Sequence, residues 1–230
     1  MKKQFNMFIF ALVCGTILTG CGGSGGNSGV KKNQYLGSLP AIYTDYNAEK
    51  EVHEAKMKEQ GQKLMAGGEK NANKIMKLMI EEKETDKARR EKLETAVSAE
   101  VAKIAGKEIP VSYSKALLDS DELFYQVSPA KLVGNKEDIA IAIVLSAKSD
   151  LEVPRMKGYD YGTYFRLIAS DGSTIVQSVL LPVKLDTKAL SFSTGEQLLE
   201  NNFSLYMKNK PEIYVNFAGV EFITKDEYNN

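Results

Sequence analysis

Residues Ile139 to Ser146, IAIAIVLS, decide the fold. Ile139, Ile141, Ile143 and Leu145 alternate with Ala140, Ala142, Val144 and Ser146. Successive side chains of a strand point to opposite faces, so one face here is large and apolar and the other is small. Such a segment sits in the middle of a sheet with both faces covered. Further strands follow on the C-terminal side, at Tyr164 to Ala169 and Thr174 to Leu181. The linker Ser170-Asp171-Gly172-Ser173 joins them, and its Asp-Gly pair suits a type I′ turn. Pairing Ser170 with Ser173 sets Leu167 opposite Val176 and Arg166 opposite Gln177. Pro182 has no amide hydrogen, so the second strand ends there or lies at an edge.

The last strand candidate, Ile213 to Thr224, has apolar residues at 213, 215 and 217 and then at 220 and 222. One extra residue at Gly219 would restore the core face after this change of parity, which predicts a bulge. Thr194-Gly195-Glu196-Gln197 has the form of a capping box and predicts a short helix through about Glu200. Shorter strand candidates lie near Pro110 to Tyr113, Leu123 to Val127 and Phe203 to Met207. About seven short antiparallel strands in about 120 residues predict a β-sandwich. A Cys-Trp-Cys pattern that would make it an immunoglobulin domain is missing, since the chain contains no tryptophan.

Before Gly106 the period changes from 2 to 3.6. From Tyr46 to Ala105 the chain has no proline and is dense in Glu, Lys, Ala, Leu and Met, which favours helix. Gly67 and Gly68 would together cost about 2 kcal/mol in a helix interior, so the segment divides there, and Gly106 suits the left-handed residue that ends a helix. Ala72, Ile75, Met76 and Met79 share one face, and so do Leu93, Val97, Val101 and Ile104. Between them, Glu81 to Lys92 has Ala88 as its one apolar residue and reads as a helix solvated on all sides, with Asp86 reaching Arg90 and Arg90 reaching Glu94. Met57, Met65, Met76 and Met79 could form an adaptable binding groove, but core methionines in a helix seam are the simpler reading. The fold class is therefore α+β, a charged helix pair over residues 46–105 followed by a β-sandwich over 106–230. The body from about Gly106 to Thr224 is expected to fold without the helices.

At the other end, Met1-Lys2-Lys3-Gln4 is a short positive segment and Phe5 to Leu18 is apolar. The apolar run falls short of the roughly 20 residues that span a membrane comfortably and reads as a signal peptide over residues 1–20. Leu18-Thr19-Gly20-Cys21 resembles the lipobox of bacterial lipoproteins at all four places. The resemblance covers the first 21 residues and implies that Cys21 is acylated and becomes the mature N-terminus. One acyl chain anchors marginally, whereas two or three attach stably. Gly22 to Gly29, GGSGGNSG, begins a flexible tether that extends to residue 45, and its stretch to about Pro40 would span roughly 20 to 25 Å. Gly22 after the cysteine, rather than Asp, resembles lipoproteins forwarded to the outer membrane. The expected location is the cell envelope, lipid-anchored at the outer membrane and facing the periplasm.

Thirty basic and 30 acidic side chains balance, and loss of Lys2 and Lys3 leaves 28 against 30. No basic surplus exists to attract nucleic acid, and that partner is not expected. The cysteines are Cys14, in the leader, and Cys21, and the one histidine is His53. Neither a zinc site nor a histidine-assisted nucleophile can be assembled in the usual ways from this inventory, so no cofactor, metal or catalytic residue is expected. His53 lies in EKEVHEAKMKE and reads as a solvated helix residue. The carboxylates Asp119, Asp121 and Glu122 could form a glycosidase-like pair or a calcium site, but an Asp/Ser-rich turn explains them more simply. Two binding roles remain open. One is a non-catalytic envelope protein whose sandwich binds a protein or peptide. The other is a carbohydrate-binding module that uses Tyr159, Asp160, Tyr161 and Tyr164 in GYDYGTYF, where aromatic faces could stack on sugars.

Overall fold

The computed structural model describes residues 32–134, 139–153, 162–180 and 190–230. Two long helices come first, α1 (Leu39–Met65) and α2 (Ala72–Ile104), joined through a short 3-10 turn at Gly68–Asn71. The break falls at the Gly67-Gly68 pair, as the helix propensities require. α2 ends before Gly106, whose φ of 79° is in the left-handed region. α1 starts earlier than the tether composition suggests. Pro40 occupies its first turn, where a missing N–H costs nothing, and Leu39, Tyr43 and Tyr46 form its buried stripe.

The remaining elements are β1 (Glu108–Ile109), β2 (Val111–Tyr113), α3 (Lys115–Leu118), β3 (Tyr125–Val127), β4 (Ala130–Gly134), β5 (Ile139–Ala147), β6 (Leu151–Val153), β7 (Thr163–Ala169), β8 (Thr174–Leu180), β9 (Leu190–Phe192), β10 (Gln197–Ser204), β11 (Phe217–Ile223) and α4 (Lys225–Asn229). One sheet runs β1-β4-β5-β10, with β3 also on β5, and the second runs β2-β11-β7-β8. β6 and β9 form a separate antiparallel pair. The fold class is the α+β arrangement expected. It has more and shorter strands than the periodicity revealed, and β2 lies parallel to β11 while the other pairs are antiparallel. β5 is central. Ile139, Ile141, Ile143, Leu145 and Ala147 are buried on one face, and the smaller residues between them are half-buried. Aromatic contacts join the two sheets, Phe165 to Phe203 at 5.0 Å edge to face and Tyr125 to Phe222 at 5.6 Å.

Register came out as read, by a different route. Leu167 faces Val176 and Arg166 faces Gln177. The turn is not type I′, however, because Gly172 (φ 83°) has a positive φ and Asp171 does not. Ala169 closes the turn by accepting from Gly172 and donating to Ser173. That leaves the ladder one residue out of step, and the shift between Leu167 and Ile168 makes Ile175 an extra residue that corrects it. The Gly219 bulge is present as a register shift between Phe217 and Gly219. A side chain at Gly219 would put its first carbon 2.7 Å from the Pro110 carbonyl oxygen.

Two expectations are corrected. The capping box at Thr194 starts no helix, because Gly195 (φ 84°) turns the chain and Gln197–Ser204 is strand β10 along β5. Glu196 uses its carboxylate to accept from the Ser193 amide, so the box closes a turn instead. The residues before β11 are likewise not strand. Pro211–Tyr214 is a 3-10 turn with Tyr214 buried.

The helix bases and the sheets share one core. Leu36, Leu39, Tyr43, Val97, Val101 and Ile104 pack in the same cluster as Ile141, Ile143, Phe165 and Phe222. Among the described residues, no helix is long and apolar enough to cross a membrane.

Candidate functional site

The chain enters the body at a polar clamp. Asn33, 6% exposed, donates from Nδ2 to the carbonyls of Val215 at 3.1 Å and Phe217 at 2.7 Å. Its Oδ1 accepts from the amides of Tyr35 at 2.8 Å and Leu36 at 2.9 Å. Close by, Gly37 takes a φ of 58°, and Glu100 of α2 accepts from the Ser38 amide at 2.9 Å. This places a carboxylate at the start of α1, where the helix dipole favours negative charge. Burial pushes the Glu100 carboxyl up, but the Lys103 ammonium, the Ser38 amide and Lys32 together hold it below its ordinary value.

From this base the two helices rise side by side. At 1.5 Å per residue, α1 is about 40 Å long and α2 about 50 Å. The buried residues of both are near the base: Leu39, Pro40, Tyr43 and Tyr46 in α1, and Arg89, Val97, Glu100, Val101 and Ile104 in α2. Asn47 donates to the Lys208 carbonyl at 3.0 Å. Beyond this level the helices contact mainly each other, as in the 2.9 Å ion pair between Glu49 and Lys92. The Glu81 to Lys92 run is therefore not solvated on all sides. Arg89 faces the seam, 8% exposed, and pairs with Asp86 at 2.9 Å rather than leaving Asp86 to Arg90. His53 is also no freely solvated residue. It is half-buried in the α1 face that carries Tyr46 and Met57, and its Nε2 is enclosed without a hydrogen-bond partner.

The free end of this hairpin is apolar and uncovered. Met65 is 68% exposed, Met76 and Met79 are each 63% exposed, and Ile80 is 53% exposed. This overturns the core-seam reading for those three methionines, while Met57 is half-buried. The half-buried seam residues there are Leu64 of α1 and Ile75 and Leu78 of α2; at about 100° per residue the midline between Ile75 and Leu78 lies about 70° from Met79 and about 130° from Met76. The sequence placed Ile75, Met76 and Met79 on one face, and a two-helix hairpin covers only part of it. A hollow beside the hairpin, about 990 Å³, is walled among the described residues by α2 alone, including Met79, Ile80, Lys83 and Arg90. One convex helix encloses no small molecule. The hollow between the helices, lined by Ile42, Tyr46, Arg89 and Leu93, holds about 170 Å³, below the usual size of a ligand pocket.

The other candidates are not brought together. Cys21, Tyr159, Asp160 and Tyr161 lie outside the described residues. Tyr164 is half-buried on β7, with its ring 5.0 Å from that of Tyr228. Glu122 accepts from the Lys225 amide at the start of α4, and Asp119 caps the end of α3. Ser114 donates to Glu227 at 2.6 Å, in the capping box that Glu227 forms with Thr224. Tyr125 Oη and Thr163 Oγ1 are buried without a partner in different strands. Among the described residues, no group of three or more His, Cys, Asp and Glu side chains is placed to hold a metal ion. Comparison of the chain with known protein families, with curated proteins and with solved structures finds no match.

Proposed function

We propose that this chain is a non-catalytic lipoprotein of the cell envelope, anchored through acylated Cys21, that binds a partner protein through the free end of the α1/α2 hairpin. The observation that carries the partner reading is the cluster Met65, Met76, Met79 and Ile80, each more than half exposed, at the end of the hairpin remote from the core. An exposed apolar group of this kind, with the exposed charges of Lys63, Lys77 and Glu81 beside it in sequence, matches a protein-binding surface. Methionine adapts its shape to a partner at little rotamer cost. The anchor reading rests on LTGC after a complete signal sequence, with the Gly/Ser stretch as tether. The described chain enters the body at Asn33, at the base of the hairpin, and the hairpin extends about 40 Å from there to its tip. Outer-membrane attachment facing the periplasm is the placement proposed.

The test is co-purification from gently solubilised envelopes, comparing the unaltered chain with Met76→Glu/Met79→Glu. Recovery of a protein with the first and its loss with the second supports the reading. Recovery of a glycan, or of the same protein with both, overturns it. Mass spectrometry of the membrane-extracted chain tests the anchor separately, and an unmodified Cys21 rejects it.

A further inference from the structure

We propose that the chain forms a two-fold dimer by pairing β8 with β8 of a second copy, which joins the two four-stranded sheets into one of eight strands. Among the described residues β8 is the edge of its sheet and pairs with β7 alone. No hydrogen bond joins the outer side of its backbone to any described residue. Natural edge strands are defended by lysine, proline, inward charge or shortness. Thr174-Ile-Val-Gln-Ser-Val-Leu180 has neither charge nor proline, in a chain where 26% of residues are charged. The other edges of the two large sheets differ. β1 and β2 are two and three residues long, and β10 carries Glu200, Asn201 and Asn202, residues that strands disfavour.

The register follows from the bulge. Ile175 is the extra residue, so the straight part of the edge is Val176 to Leu180, centred on Ser178. Antiparallel pairing about Ser178 sets Val176 opposite Leu180 of the second copy, on the face that also holds Phe165 and Leu167. Gln177 then lies opposite Val179, which is 38% exposed in the single chain. A two-fold axis normal to the sheet keeps the apolar faces on the same side. No charge is buried, and every cross-strand pair is compatible.

A second copy is the occupant for two reasons. The strand is self-complementary about its centre, and one such edge among the described strands of each chain means that pairing uses up both edges and closes at two. An open-ended stack would need a second undefended edge, which the described sheets do not offer. The contact is short, so association should be concentration-dependent.

The experiment uses the full chain in detergent, carrying Cys14→Ser and Cys21→Ser so that an introduced thiol is the only one. Residues directly opposite in an antiparallel pair have Cα atoms about 4.5 to 5.5 Å apart, within disulfide range. Ser178→Cys should therefore cross-link to itself under oxidised glutathione. Thr174→Cys is the control. Its copies are about 25 Å apart in the proposed register and should give at least about tenfold less covalent dimer. Sedimentation of the chain without an added thiol should show a monomer–dimer equilibrium. Val179→Lys should abolish it and leave unchanged the melting temperature measured at concentrations where the unaltered chain is monomeric. A monomer across the concentration range, equal cross-linking at both positions, or a dimer that survives Val179→Lys overturns the proposal. So does a monomeric chain that instead captures a synthetic strand of the β8 sequence.

Discussion

Replacing Asn33 by Ala removes the most connected side chain at the point where the chain enters the body. Its amide makes four hydrogen bonds, two donated to Val215 and Phe217 and two accepted from Tyr35 and Leu36, at 2.7 to 3.1 Å. Each is worth about 1 kcal/mol net, and a buried group left unpaired costs about 1 to 3 kcal/mol. Water can reach Tyr35, which is half-buried, whereas Leu36 is fully buried and the bond to Phe217 is enclosed. We therefore expect a loss of about 3 to 5 kcal/mol. For a body of this size, about 2 to 4 °C accompanies each kcal/mol, so the thermal midpoint by circular dichroism should fall by about 6 to 20 °C. Asn33→Asp separates the donors from the acceptor. It keeps the acceptor for Tyr35 and Leu36 but sets a carboxylate oxygen against two carbonyls, and it should be no better than Ala at neutral pH. A midpoint shift below about 2 °C for Asn33→Ala would refute the reasoning, because the segment from Asn33 to Leu39 would then not be part of the cooperative unit.

Glu100 is held below its ordinary carboxyl value despite its burial. A depressed folded-state value means that its stabilising contribution is present above the unfolded value of 4.5 and is lost as pH falls below it through the folded value. Glu100→Gln should therefore flatten the acid side of the stability curve, and an unchanged acid limb would reject a role for this carboxylate. His53→Leu should leave the melting temperature unchanged or raise it by a few degrees, since it replaces an enclosed nitrogen that has no partner. A drop above about 5 °C would show that the imidazole is paired in solution. The fragment Gly106–Asn230 should melt without cooperativity, because it lacks Leu36, Leu39, Val97, Val101 and Ile104 from the shared core. A sharp calorimetric transition in that fragment would establish the sheets as an independent domain.

The local rules were legible wherever one side chain's period or one backbone torsion decides the outcome. Ile139 to Leu145 announced a central strand, Gly67-Gly68 and Gly106 announced helix ends, and the parity change at Gly219 announced a bulge. The LTGC motif is equally local, which is why it speaks to the anchor without any fold. Tertiary structure decided the features in which distant segments compete for the same groups. Thr194 and Gln197 fit a helix start, but β5 offers Gln197–Ser204 a full ladder, and a ladder outweighs one capping bond. The pairing of Arg89 with Asp86, the enclosure of His53 and the clamp of Asn33 on Val215 and Phe217 all depend on partners from another turn, another helix or the far end of the chain. The same holds for the methionines. Periodicity places Ile75, Met76 and Met79 on one side of α2, but only the arrangement of α1 against α2 determines that Ile75 is half-covered while Met76 and Met79 are left to solvent. A helix's sequence reveals which face is apolar, and the number of neighbours it meets sets how much of that face is buried.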